Sequence, residues 1–224
     1  SSVMRFGTIA HEFQHMVNFF QKQRLGGNGN YETVWLNEGL SKFAEEVCGF
    51  GISAGDSNTV SLIRLSQQNM QNLSLTSFAG VNSYGLSYLF VKFLAEENRY
   101  GTTYREITRK LVNSSLTGKN NVAAVTGESF EHTLAKWGLS IYLNRYNAQN
   151  AQDYGIKNLN LAGSYNGVSL PGFAFADAAN GLEIGLKSDG LRGIVKTSTG
   201  EATTNFSLES VSGDVNLWLF DNRP

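Results

Sequence analysis

From the N-terminus to about residue 146, apolar residues recur at three- and four-residue spacing, and glycines or short polar runs interrupt the pattern. A chain written this way packs helices against one another. One helix is expected from about Arg5 to Gln23, ended by Gly26 and Gly27. After the polar loop GGNGNY, a second is expected from about Thr33 to Cys48, stopping at Gly49 and Gly51. A third spans Val60 to Asn72, with Asn58 or Thr59 as its cap, and a fourth spans Ser83 to Asn98. The stretches TTYREITRKLVN and SFEHTLAKWGLSIYLNRY complete the helical set.

After Tyr146 the character changes. A polar stretch is followed by LEIGLK, GIVKTS, TNFSLESV and VNLWLF, separated by Ser-Asp-Gly, Ser-Thr-Gly and Ser-Gly-Asp, which are strand and turn signals. The expected class is α+β: a mainly helical subdomain over 1–150, a linker or loop over 151–180 and a β-rich C-terminal segment over 181–224. With 224 residues, 41% of them hydrophobic, the chain can bury a sizeable core. Its net charge of −1 offers no basic patch for nucleic acid. No apolar stretch approaches the ~18 residues that cross a bilayer. The chain begins at Ser1 without a methionine and reads as a piece of a longer protein. Abundant Gly, Asn, Ser and Thr with scarce Cys suggest a secreted or cell-envelope bacterial protein.

Cys48 is the only cysteine, which excludes an intrachain disulfide and a cysteine-built zinc site. It is expected to be a small buried residue at a helix end. A metal here depends on His, Glu and Asp, and two of the three histidines, His11 and His15, lie in TIAHEFQHMVNFF. At about 100° per residue they sit about 40° apart, so their imidazoles can converge, with Glu12 beside them. That arrangement suits a hydrolytic zinc site, in which two neutral nitrogens hold the ion and a carboxylate takes a proton from zinc-activated water. The competing reading is a surface helix: Phe13, Met16, Val17 and Phe20 form an apolar stripe opposite the histidines.

The second helix, TVWLNEGLSKFAEEV, carries Glu38, Ser41, Lys42 and Glu45 on one face and Leu36, Leu40, Phe43 and Val47 on the other. Glu38 and Glu45 lie about 20° apart, two turns along. Two such helices joined by a short loop can pack antiparallel, their polar faces lining a cleft. Glu38 then supplies a third ligand and leaves the fourth position to water. A charged outer face on a core helix remains the alternative.

HEFQH followed by WLNEG resembles the gluzincin metallopeptidases, the clan of thermolysin and aminopeptidase N. WLNEG is the wording of the aminopeptidase N branch. HEFQHMVNF with WLNEGLS is most similar to the hyicolysin-like zinc metallopeptidases of bacteria. The resemblance covers about residues 8–146, with its specific motifs in 8–48. It implies one zinc ion per chain, held by His11, His15 and Glu38, with Glu12 as general base and Glu45 orienting a ligand. It also implies a tyrosine donor to the oxyanion, which NSYGLSYLFVKFL offers as Tyr84, early in its helix after the caps Asn82 and Ser83, or as Tyr88.

The expected function is therefore zinc-dependent hydrolysis of peptide bonds in a protein or peptide substrate, as an endopeptidase. An aminopeptidase on the same site, a non-catalytic binding or adhesion module and a metal-free helical domain are the alternatives. Two departures stand out. The loop between His15 and Glu38 is longer than in aminopeptidase N, and Lys42 stands where thermolysin has an aspartate supporting a histidine. His132, which resembles the thermolysin donor in type, is expected to be structural or exposed. The family places a small sheet before the first motif helix, and only seven residues precede Thr8 here. An upstream part of the same protein is expected to complete the cleft. Asp189, Asp214 and Asp221 lie in turns without calcium-ligand spacing.

Overall fold

The sequence SYGLSYLFVKFL is apolar almost all the way round, and a helix of that kind belongs in a core. In the computed structural model it forms α4, Val81–Leu94, in which Leu86, Tyr88, Leu89, Phe90, Val91, Phe93 and Leu94 are all buried. The structure describes residues 2–96, 99–145 and 155–174, with two further short strands at 176–177 and 194–195. Among these residues the chain is mostly helical, with α1 (Ser2–Gly26), α2 (Val34–Val47) and α3 (Ser57–Asn69) before α4, then α5 (Tyr104–Val112), α6 (Gly118–Thr126) and α7 (Phe130–Arg145).

α2 and α3 flank α4, and two glycines set how closely. A Cβ on Gly39 of α2 would lie 2.5 Å from the Ser87 carbonyl oxygen of α4. A Cβ on Gly85 of α4 would lie 2.4 Å from the Leu62 carbonyl oxygen of α3. Neither helix pair can sit this close with a larger residue. Around Phe90, the rings of Trp35, Phe130 and Trp137 pack with centroids 5.6, 6.0 and 5.4 Å away, and so join α2, α4 and α7 in one core.

α1 lies on α2 and is turned opposite to a surface helix. Phe6, Ile9, Phe13, Met16 and Phe20 are each more than half exposed, while Asn18 and Lys22 are buried. The stripe that amphipathicity assigns to the core therefore faces outward, and the polar face packs against α2. Buried polar groups need partners, and Lys22 has them. Its Nζ lies 3.0 Å from Glu32 Oε2 and donates to the carbonyls of Leu111 at 2.9 Å and Leu116 at 2.6 Å. Glu32 in turn accepts from Gly118 N at 2.6 Å and Asn121 Nδ2 at 3.0 Å. One buried ion pair thus ties α1 to α5 and the start of α6. α2 is also buried on its polar side, where Ser41, Lys42 and Glu45 are covered, while Val47 of its apolar stripe is exposed.

Several local expectations are corrected. α3 starts at Ser57 because Asp56 is the better cap, its carboxylate accepting from Asn58 N and Thr59 N. α4 starts at Val81, behind Gly80 at φ +63°, so Asn82 and Ser83 lie inside its first turn. α6, from GKNNVAAVT, is an additional helix that the sequence does not announce, because it lacks a long apolar stripe. α5 opens on a Thr103–Glu106 capping box. Cys48 follows α2 and is exposed rather than buried.

Residues 155–174 are irregular yet packed, with Ile156, Leu159, Leu161, Leu170 and Phe173 in the same core. Asn144 holds them, its Nδ2 donating to the carbonyls of Ile156 and Leu159 and its Oδ1 accepting from Leu161 N. A small hairpin pairs β1 (Ser164–Tyr165) with β2 (Val168–Ser169) through Asn166 and Gly167, both at positive φ, as a two-residue type I′ turn requires. Of the strands expected over 181–224, only Ile194–Val195 falls on described residues, as β4, parallel to β3 at Ala176–Asp177. The remainder of the β-rich segment, with Asp189, Asp214 and Asp221, lies outside the described residues. No helix among the described residues is long and apolar enough to cross a membrane.

Candidate metal centre

Positions 11, 15, 18 and 22 share one face of α1, four, three and four residues apart. Their partners run backwards along the following chain. His11 meets Glu45, His15 meets Ser41, Asn18 donates to Asn37 Oδ1 at 2.7 Å and Lys22 meets Glu32. The two segments are therefore antiparallel along a polar seam, and the seam sets the register of the histidines against Glu38.

Glu38 Oε2 lies 3.2 Å from His11 Nε2 and 3.5 Å from His15 Nε2. One donor atom from each of the three residues lies within 4.8 Å of the other two. Ligands about 2.0–2.1 Å from a tetrahedral zinc stand ~3.4 Å apart, so both carboxylate distances match the edges of such a site. Glu38 Oε2 is also buried without a hydrogen-bond partner, since neither short contact has hydrogen-bond geometry. A buried carboxylate oxygen left in that state asks for a cation. Two imidazole nitrogens and a carboxylate are a common zinc donor set, and the residues fit the ion.

The far side of each ring is engaged. His11 Nδ1 meets Glu45 Oε1 at 2.8 Å, and the other oxygen of Glu45 takes Lys42 Nζ at 2.8 Å. His15 Nδ1 meets Ser41 Oγ at 3.0 Å. Both Nδ1 atoms are thereby held, and both Nε2 atoms turn to Glu38. Support of this kind from beyond the ligands fixes tautomer and ring orientation. The structure brings Glu45 to His11. Lys42 stands one step further out, as the partner of that carboxylate.

The electrostatics follow from the crowding. Burial by itself lowers the His11 pKa, but Glu38 and Glu45 override it and raise it to about 9. Burial likewise opposes ionisation of Glu38, yet His11 and His15 bring its carboxyl down to about 2. His15 is raised as well, chiefly by Glu38. Opposite charges thus draw the two imidazoles and the carboxylate together.

Glu12 is exposed on α1 beside His11. Tyr84, on the first turn of α4, has its ring centroid 6.5 Å from that of His11 and packs edge-on against Phe78 at 5.0 Å. Burial and the charge of Glu38 push its phenol up. The close approach of α2 to α4 at Gly39 is what brings this turn beside Glu38. Tyr88, one turn later, is fully buried and its hydroxyl donates to Glu46, which also takes Lys92 at 2.6 Å. Tyr88 therefore turns away from the group. His132 stands on α7 with Nδ1 3.2 Å from Glu128 Oε2, partly exposed and outside the group. Two residues of the site carry no role in the sequence pattern: Ser41, on the expected face of α2, and Gln14, whose Oε1 lies 2.5 Å from Ser41 Oγ. The signal was present in the spacing, three residues after Glu38 and one before His15.

Comparison with protein-family models, with curated proteins and with solved structures finds no match for this chain.

Proposed function

We propose that this chain carries the zinc centre of a gluzincin-type metallopeptidase and hydrolyses internal peptide bonds. One observation carries the reading. Two histidine rings are clamped at Nδ1 so that both Nε2 atoms face one buried carboxylate oxygen at 3.2 and 3.5 Å. A solvated helix face has no reason to bury and orient these groups. His11, His15 and Glu38 would hold one zinc.

Bound there, zinc supplies a Lewis acid to the scissile carbonyl and lowers the pKa of water. Glu12, next to His11 and open to solvent, takes the proton of the attacking water and passes it to the departing amine nitrogen as the C–N bond breaks. The Tyr84 phenol, kept protonated by burial beside Glu38, donates to the oxyanion of the tetrahedral intermediate. Glu45, itself anchored by Lys42, keeps His11 in the tautomer that offers Nε2.

The exposed apolar stripe of α1 supports the further reading that more of the protein covers this helix and completes the cleft. The composition favours a secreted or cell-envelope protein. Metal content, measured by mass spectrometry on protein purified without added metal or chelator, tests the reading. One zinc per chain, lost in His15→Ala, is expected. Absence of zinc from the wild type, even after zinc is supplied, overturns it. Cleavage of N-blocked peptides then separates an endopeptidase, which accepts them, from an aminopeptidase, which does not.

A further inference from the structure

We infer that Ser41 and Gln14 form a hydroxyl relay that positions His15 as a metal ligand, an assignment that rests on the zinc reading above. The Ser41 side chain is completely buried between α1 and α2. Its hydroxyl makes two contacts, at 3.0 Å to His15 Nδ1 and at 2.5 Å to Gln14 Oε1.

The two contacts set each other's direction. A hydroxyl has one hydrogen. Two oxygens at 2.5 Å repel unless a hydrogen lies between them, so the Ser41 hydrogen goes to the Gln14 carbonyl. Ser41 Oγ is then left as an acceptor, and His15 Nδ1 must carry the hydrogen it accepts. The neutral ring in that tautomer bears its lone pair on Nε2, the atom 3.5 Å from Glu38 Oε2. The reverse tautomer would need the same hydroxyl hydrogen for Nδ1 and leave the short Ser41–Gln14 contact unbonded.

His11 and His15 are thus oriented by different chemistry. His11 leans on a carboxylate that Lys42 neutralises, and His15 leans on a neutral hydroxyl and amide. A third carboxylate beside Glu38 and Glu45 would add negative charge to the centre and weaken the ion as a Lewis acid. The relay aligns the second ring without that charge.

The test reads zinc affinity of the full 224-residue chain by chelator competition, together with the visible spectrum of the cobalt-substituted protein. Ser41→Ala is expected to weaken zinc binding by roughly 10–100-fold, the range for losing such support, and to alter the cobalt spectrum. Ser41→Thr, which keeps the hydroxyl, is expected to restore most of both. Gln14→Met, at a half-buried position on α1, is expected to weaken binding in the same direction, and its effect should not add to that of Ser41→Ala. It also decides the matter should Ser41→Ala fail to fold. Wild type holding zinc, His15→Ala losing it, and Ser41→Ala or Gln14→Met binding as tightly as wild type would overturn the relay and leave the zinc site standing. Wild type without zinc overturns both.

Discussion

Lys42 and Glu45, one turn apart on α2, form a buried ion pair at 2.8 Å, and the second oxygen of the same carboxylate holds His11. Lys42 therefore supports the group through Glu45 rather than touching a histidine. Removing one member of a buried pair leaves an uncompensated charge. Lys42→Met should destabilise the fold by about 3 kcal/mol, read by urea unfolding. Glu45→Gln should mainly weaken zinc binding. Equal zinc affinity in wild type and Glu45→Gln would show that Glu45 does not orient His11.

Glu12→Gln should keep the zinc and lose about 10²–10⁴-fold in kcat, the range for a general base. Metal analysis and peptide cleavage on the same sample check both halves. Full activity with zinc retained would remove Glu12 from the mechanism.

The two tyrosines should behave oppositely. Tyr84→Phe should lower kcat by about 10²–10³-fold with unchanged stability, as for an oxyanion donor. Tyr88→Phe removes a buried hydroxyl from Glu46, and should cost about 1–3 kcal/mol of stability with little change in kcat. A kcat loss confined to Tyr88→Phe would reverse the assignment.

Metal-free stability should depend on pH in a defined sense. The folded-state pKa of His11, about 9, lies above its ordinary 6.5, so its stabilisation is full below 6.5 and is lost as pH rises toward 9. The carboxyl of Glu38, at about 2 against 4.5, stabilises above 4.5 and loses that as pH falls toward 2. The metal-free protein should therefore be most stable between about pH 4.5 and 6.5. Zinc binding requires neutral His11, so zinc should release a proton near neutral pH and bind more tightly as pH rises. Thermal melts with and without zinc across this range check the prediction. A metal-free Tm that climbs from pH 6.5 to 9 contradicts it.

Gly39→Ala should destabilise by about 1–3 kcal/mol, because its Cβ meets the Ser87 carbonyl oxygen and separates α2 from α4. Since the same contact brings Tyr84 to Glu38, kcat should fall more than zinc affinity. Unchanged stability and kcat would mean that the two helices do not need this approach.

Much of the site was legible because it depends on local geometry. Residues four apart share a helix face, so His11 and His15 converge wherever α1 forms, and Glu38 and Glu45 align for the same reason. Glycines at 26, 27, 49 and 51 mark helix ends through their backbone freedom. What local geometry does not contain is which face of α1 turns inward. Amphipathicity assigned the core to Phe13, Met16 and Phe20. The structure instead buries Asn18 and Lys22, because their partners Asn37 and Glu32 come from residues later in the chain and reach them only in one antiparallel register. That register decides the rest. It sets Ser41 against His15, turns Glu45 to His11, and leaves Tyr84 beside Glu38 while Tyr88 points to Glu46. The sequence alone determined which candidate residues share a face, His11 with His15 and Glu38 with Glu45, through spacing along single helices. Only the tertiary structure decided what orients them, because each supporting hydrogen bond runs between chain segments whose relative placement is set by packing as a whole.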